Sequence, residues 1–218
     1  EAVDNVMQLD AGRFHPEQIV ALGNLGLTYY LDQQFHEARQ YYERAMAHAQ
    51  EWGKTPDIAL IFNYTSCLMK LEQYQTVLDL IQQHRVELEQ TPRLHFRFEC
   101  FRSFSHIFLR EPEAAAESIP AAITQRPETE YHYFRFALLL VPYLRGEAED
   151  ALREATNFAK YFHRNKGKIG LPHELDLVTM YKRFFTMVLT PPGAKKNRMW
   201  SGLRSMQQDF VAQYPAYI

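Results

Sequence analysis

The sequence predicts an all-α fold. It reads as an α-solenoid, a right-handed superhelix of about five antiparallel helical hairpins with a C-terminal capping helix. Three observations carry this prediction. Apolar residues recur at helical spacing through most of the 218 residues. A pattern of small and aromatic residues returns at nearly constant intervals. Breakers rich in Pro and Gly fall between the helical stretches, and neither β alternation nor an Asn-Gly turn intervenes.

The first unit spans residues 20–50. Leu22, Leu25 and Gly26 precede Tyr29, and Phe35, Ala38, Tyr42 and Ala45 follow. Gly26 and Ala38 are small where two helices must cross closely, and Tyr29 and Tyr42 fill the gaps beside them. Phe35-His36-Glu37-Ala38 returns as Tyr74-Gln75-Thr76-Val77, an offset of 39 (77 − 38). Ala115 lies 38 residues beyond Val77 (115 − 77), and Ala151 lies 36 beyond Ala115 (151 − 115). The second unit replaces Gly26 by Thr65; the third and fourth keep register alone. Trp52–Asp57, Gln90–Pro92 and Gln125–Thr129 separate the units. A Pro at a first helical turn costs little, because the N–H it lacks would be unpaired there anyway. Asn165–Gly170 ends the fourth hairpin.

Beyond it, Leu175, Val178, Tyr181, Phe185 and Val188 share a helical face, which Thr190-Pro191-Pro192-Gly193 stops. The last helix carries Trp200, Leu203, Met206 and Phe210 and is expected to turn them inward as a cap, with Tyr214-Pro215 closing it. Residues 1–12 carry Val3, Val6, Met7 and Leu9 on one face and read as the end of a preceding helix. The chain opens at Glu1 without Met, as a fragment of a longer parent would. The organisation is thus one domain over 1–218. Residues 1–19 end a preceding helix, 20–165 hold four repeats, and 171–218 form an irregular hairpin and cap.

The small-aromatic pattern of residues 20–50 resembles the tetratricopeptide repeat (TPR) superfamily, in divergent form, and register extends the likeness to about residue 160. The resemblance implies a stack whose concave wall is lined by the first helix of each hairpin. It further implies a protein–protein interaction scaffold that binds a protein or peptide segment. In peptide receptors of this family, an Asn just before the small-residue pair often holds the ligand backbone. An amide offers both a donor and an acceptor, so it can grip a peptide unit whatever the ligand side chain. Asn24 precedes Leu25-Gly26, and Asn63 precedes Tyr64-Thr65. Leu27, Tyr30, Phe62, Ser66 and Met69 would neighbour them. Arg97, Arg102 and Arg135 would receive a carboxylate. The family's chaperone-tail clamp also wants Lys before the first Asn and Asn three residues after it. Those places hold Gly23 and Leu27, which argues against the clamp. The competing reading is that both Asn bond within or between helices.

Composition narrows the function classes. Hydrophobic residues at 46% and charged residues at 23% are globular values and argue against disorder. A net charge of −2 predicts no polyanion partner. Charge is uneven, however. From Asp150 to Ile218 there are 11 Lys/Arg and 5 Asp/Glu, a net of +6 (11 − 5), leaving −8 (−2 − 6) for the rest. That is a solvated bias or the mark of an acidic partner. Cys67 and Cys100 lie in apolar helical stretches and read as buried thiols of a reducing compartment. No apolar run approaches a membrane span.

No phosphate-cradling glycine loop, Gly-x-Ser-x-Gly elbow, His-Glu-x-x-His or Cys-x-x-Cys occurs. His95, Glu99, Cys100 and His106 come nearest to a metal or catalytic cluster and read as packing and surface polarity. His163–Lys168 is basic, but a helix C-terminus is the wrong dipole end for an anion, so it reads as a helix stop. The reading is therefore a non-catalytic, cytoplasmic, bacterial-style binding module without cofactor or metal. It has no membrane partner and is not read as a nucleic-acid binder, and homo-oligomerisation stays open. The alternatives are a sensor or dimerisation module of a bacterial regulator and, from other classes, a nucleic-acid-contacting solenoid or an enzyme.

Overall fold

The computed structural model describes residues 15–125, 131–164 and 172–214, all helix or short connection with no strand among them. The expectations for residues 1–12, for Pro127–Thr129, for Asn165–Gly170 and for Pro215 fall outside the described residues. The helices are α1 (His15–Leu31), α2 (Phe35–Glu51), α3 (Ile58–Lys70), α4 (Tyr74–Gln83), α5 (Arg85–Glu89), α6 (Pro92–Phe108), α7 (Pro112–Gln125), α8 (Tyr131–Leu144), α9 (Ala148–Arg164), α10 (Pro172–Leu189) and α11 (Ala194–Gln213). They divide into two compact units, Glu1–Ser105 and His106–Ile218. Helix α1 is described from His15, and residues 15–19 are continuous with Leu22 within it.

One turn closes the first helix of four successive hairpins, and the same pair of bonds also ends α2 at Gly53, φ 59°. Gln33, Glu72, Arg110 and Gly146 each have positive φ, at 60°, 57°, 62° and 83°. In the first, Gln33 N–H donates to Tyr30 C=O and Gln34 N–H to Tyr29 C=O, closing a Schellman motif. The same pair of bonds runs from Glu72 and Gln73 to Met69 and Leu68, from Arg110 and Glu111 to Ile107 and His106, and from Gly146 and Glu147 to Tyr143 and Pro142. The turns are spaced by 39, 38 and 36 residues (72 − 33, 110 − 72, 146 − 110), the offsets read from the sequence. Five residues after each left-handed residue stands a small side chain, Ala38, Val77, Ala115 or Ala151, and all four are fully buried. Only the fourth turn uses Gly. The other three hold a longer side chain in a conformation that disfavours it.

In the first unit α1 packs on α2, α2 on α3, α3 on α4, and α1 on α3. Leu22, Tyr42, Ile61, Leu68, Val77 and Phe98 belong to its core. Gly26 is needed for a close approach, and its partner is the Tyr42 ring. A Cβ on Gly26 would stand 2.6 Å from Tyr42 Cε1 and 2.7 Å from Cδ1. Tyr29 stacks on Tyr41 with centroids 5.1 Å apart. Thr65, at the Gly26 position of the second unit, is buried and returns its hydroxyl to Ile61 C=O at 2.7 Å. Helix α3 starts where its sequence says it should: the Asp57 carboxylate accepts from Ala59 N–H at 2.7 Å. The Cys67 thiol sits in this core and donates to Phe35 C=O, and burial pushes its pKa up to about 11.

The second helix of the second hairpin breaks at His84, which ends α4 and starts α5 with φ −106° and ψ 21°. Neither Gly nor Pro marks the break, so nothing in the sequence pattern announces it.

In the second unit α7 packs on α8, α8 on α9, α9 on α10 and α10 on α11. Phe134, Phe136, Phe158, Phe162 and Phe185 supply its buried aromatics. Helix α9 has Glu149 and Asp150 in its first turn and His163 and Arg164 in its last, each complementing the helix dipole. The last helix departs from the expected cap. No residue of α11 is fully buried. Leu203, Met206 and Phe210 are half-buried. Trp200 stays 43% exposed, with the Arg204 guanidinium 5.1 Å from its ring centroid. No described helix is long and apolar enough to cross a membrane.

Candidate functional site

Helices α1, α3 and α6 carry all but one of the residues singled out for binding. Asn24 on α1 and Asn63 on α3 occupy one register, each nine residues ahead of its left-handed turn residue (33 − 24 and 72 − 63). The two helices are in contact. Asn24 is exposed and Asn63 half-buried. Neither side-chain amide makes a hydrogen bond among the described residues; the one bond at Asn24 is to its backbone C=O, from the Thr28 hydroxyl at 2.9 Å. The third and fourth turns have Phe101 and Ala137 at this place, so the amide pair is confined to the first two hairpins.

The neighbours divide into surface and support. Tyr30 is half-buried and meets the Phe35 ring edge at 5.5 Å, and burial raises its phenol pKa. Leu27 is half-buried beside Asn24 on α1. Phe62 packs on Phe98 and Phe101 with centroids 5.9 and 5.5 Å away. Arg97 is exposed and lays its guanidinium 5.6 Å from the Phe62 centroid, a cation–π arrangement that holds a positive charge at this face. Ser66 and Met69 are already engaged. The Ser66 hydroxyl donates to Phe62 C=O at 2.9 Å, and Met69 sulfur accepts from Ser105 at 3.4 Å.

Two of the three arginines have other roles. Arg102 is committed to Glu99, with Nη2 2.6 Å from Oε2. Glu99 is buried, and burial raises its pKa while the Arg102 charge opposes the rise, so the pair neutralises a carboxylate inside the first unit. Arg135 belongs to the second unit, where it stacks 4.2 Å from the Tyr161 ring centroid. Of the proposed carboxylate receivers, Arg97 is the one whose described partner is an aromatic face within the first unit. The sequence does not separate the three, because an arginine's partner three residues along a helix and one across a tertiary contact look alike in it.

The His95–Glu99–Cys100–His106 group does not assemble. Glu99 turns to Arg102, and His106 Nδ1 lies 2.8 Å from Glu111 at the third turn. No set of three or more His, Cys, Asp or Glu among the described residues is placed to hold a metal ion.

A concavity lies among α2, the α2–α3 connection, α3 and α4–α5, and none of the residues singled out for binding lines it. It is a cleft of about 600 Å³, lined among others by Glu43, Lys54, Asp79, His84 and Glu87. His84 is 5% exposed, and neither ring nitrogen has a hydrogen-bond partner. Burial lowers its pKa from the ordinary value, with the Glu87 charge opposing. A lone His among Gln82, Gln83 and Arg85 carries no sequence signal for this. Comparison with known proteins finds no matching family model, no matching curated protein and no matching solved structure.

Proposed function

We propose that this chain is a non-catalytic, TPR-like solenoid module that holds an extended peptide segment against α1, α3 and α6. The observation that carries the reading is the amide pair. Asn24 and Asn63 stand at equivalent positions of touching helices, and neither amide has a hydrogen-bond partner among the described residues. Each amide can meet one peptide C=O and one N–H, so two in register suit a ligand with repeating backbone groups. Tyr30 on α1 and Phe62 on α3 offer half-buried aromatic surface on the same two helices, and Arg97 adds a cation for a carboxylate on the ligand. The grip is on the backbone, so specificity falls to the side-chain contacts around Leu27, Phe62 and Arg97.

The test is selection of binders from a displayed peptide library, followed by affinities for wild type and for Asn24→Ala with Asn63→Ala. Removing either amide should weaken binding by about 0.5–1.5 kcal/mol, the net worth of a neutral hydrogen bond, while circular dichroism stays unchanged. Arg97→Gln should cost about 1.5–3 kcal/mol for ligands bearing a carboxylate and nothing for those without. A double Asn variant that keeps every selected ligand at wild-type affinity refutes the reading.

A further inference from the structure

The cleft around His84 has more anionic than cationic side chains. Glu43, Asp79 and Glu87 line it with carboxylates, against one ammonium from Lys54. Glu43 is already held by Arg39 at 2.7 Å and by the Tyr64 hydroxyl at 3.3 Å. Asp79 accepts a single N–H from Gln75 at 3.1 Å. The Glu87 carboxylate makes no hydrogen bond or ion pair among the described residues. Two carboxylates thus retain unused acceptor capacity within one concavity.

His84 gives an independent indication. It lines the same cleft, is 95% buried (100 − 5), and leaves both ring nitrogens without a partner. Buried polar atoms in native structures are nearly always satisfied, so an orphaned pair beside a cleft points to a missing partner. A neutral imidazole presents one N–H and one lone pair; a cationic donor can satisfy the lone pair, which adds to the surrounding acceptors, but not the N–H.

We propose that this cleft binds one organic cation, a guanidinium or an ammonium, with Asp79 and Glu87 as its counter-charges and His84 closing the floor. An anion is disfavoured by the carboxylates. The volume suits a side-chain-sized or small-molecule ligand. The cation can come as a free amine or as an Arg or Lys side chain of a protein. This site is separate from the amide pair on α1 and α3.

The test is an NMR titration of the whole chain read at the His84 ring Cε1–H, identified by its absence in His84→Gln. The probes are N-acetyl-argininamide, agmatine and the uncharged N-acetyl-citrullinamide, at concentrations on the order of 10 mM. The two cations should give saturable shifts and citrullinamide none. Agmatine binding as tightly as argininamide assigns the site to a free amine; tighter argininamide binding assigns it to a peptide side chain, and either upholds the proposal. Asp79→Asn with Glu87→Gln should weaken the cations about tenfold or more, the effect expected for a charge-assisted hydrogen bond. Lys54→Glu, at an exposed position, should tighten them. Asn24→Ala with Asn63→Ala should leave them unchanged, which separates this site from the peptide face. No saturable shift with either cation, or equal shifts with citrullinamide, overturns the proposal.

Discussion

Replacing Gly26 by Ala tests the first hairpin where its packing is tightest. The added Cβ would lie 2.6, 2.7 and 3.0 Å from three ring atoms of Tyr42. Ordinary carbon contacts are about 3.5–4.0 Å, so the ring would have to retreat by roughly an ångström. It has little room. Tyr42 is fully buried, and the Tyr64 ring stands 6.0 Å away centroid to centroid. Over-packing of this kind costs about 1–3 kcal/mol. Ala is better than Gly in a helix interior by about 1 kcal/mol, which offsets part of it. Because the ring body, and not a flexible tip, is in the way, the steric cost should win, with a net destabilisation of about 1 kcal/mol and at most about 2 kcal/mol. Urea unfolding in a Trp200→Phe background measures it, since Trp52 then reports the first unit alone. A cycle with Tyr42→Leu identifies the cause: without the ring, Gly26→Ala should become neutral or stabilising by up to about 1 kcal/mol. If Gly26→Ala leaves stability unchanged or raises it while Tyr42 is present, the close approach is wrong, and with it the register of α1 on α2.

His84 makes a pH prediction. Its folded-state pKa lies below the ordinary value of about 6.5, so under mild acid the unfolded chain binds the proton that the folded chain refuses. Stability should therefore fall as pH drops through about 6.5, by at most about 1.4 kcal/mol per pH unit. Burial outweighs the carboxylates that share the cleft. The difference between wild type and His84→Leu, measured by urea unfolding at several pH values, isolates this one proton; parallel curves would show that His84 is not the group. The left-handed turn residues make another. Gln33→Gly and Arg110→Gly should each stabilise by a few tenths to about 1 kcal/mol, and Gly146→Ala should cost about 1–2 kcal/mol. Thermal melts of the three variants decide it, and stabilisation by Gly146→Ala would be incompatible with the φ of 83° there.

Periodic features are legible in the sequence. Spacing alone picks out Ala38, Val77, Ala115 and Ala151, and each is buried five residues past a turn of one geometry. Spacing reports a helical face well because every turn of helix samples it. The breakers at 52–57, 90–92 and 190–193 are legible for a related reason, since Pro and Gly act locally. What the sequence hides depends on contacts between distant residues. The pattern puts Tyr42 beside Gly26, as found, but does not say how closely the ring approaches or that Tyr29 stacks on Tyr41. Arg102 reads as free and is taken by Glu99. Trp200 reads as a cap anchor and lies under Arg204 near solvent. The break at His84 has no local sign, because neither Gly nor Pro stands there.

The four matching turns also say where this chain can change length. From Asn24 to Ala38 and from Asn63 to Val77 the count is the same, although successive turns are 39, 38 and 36 residues apart. The difference therefore accumulates past the small residue, in the second helix of a hairpin and the connection after it. One residue inserted in the turn itself would rotate the following helix by about 100° and swing Ala38 or its counterpart out of the core. The same insertion in the connection beyond Trp52 leaves each hairpin in phase with itself. Length variants should thus collect at the exits of the hairpins, beside the cleft, while the face that bears the two amides keeps its spacing.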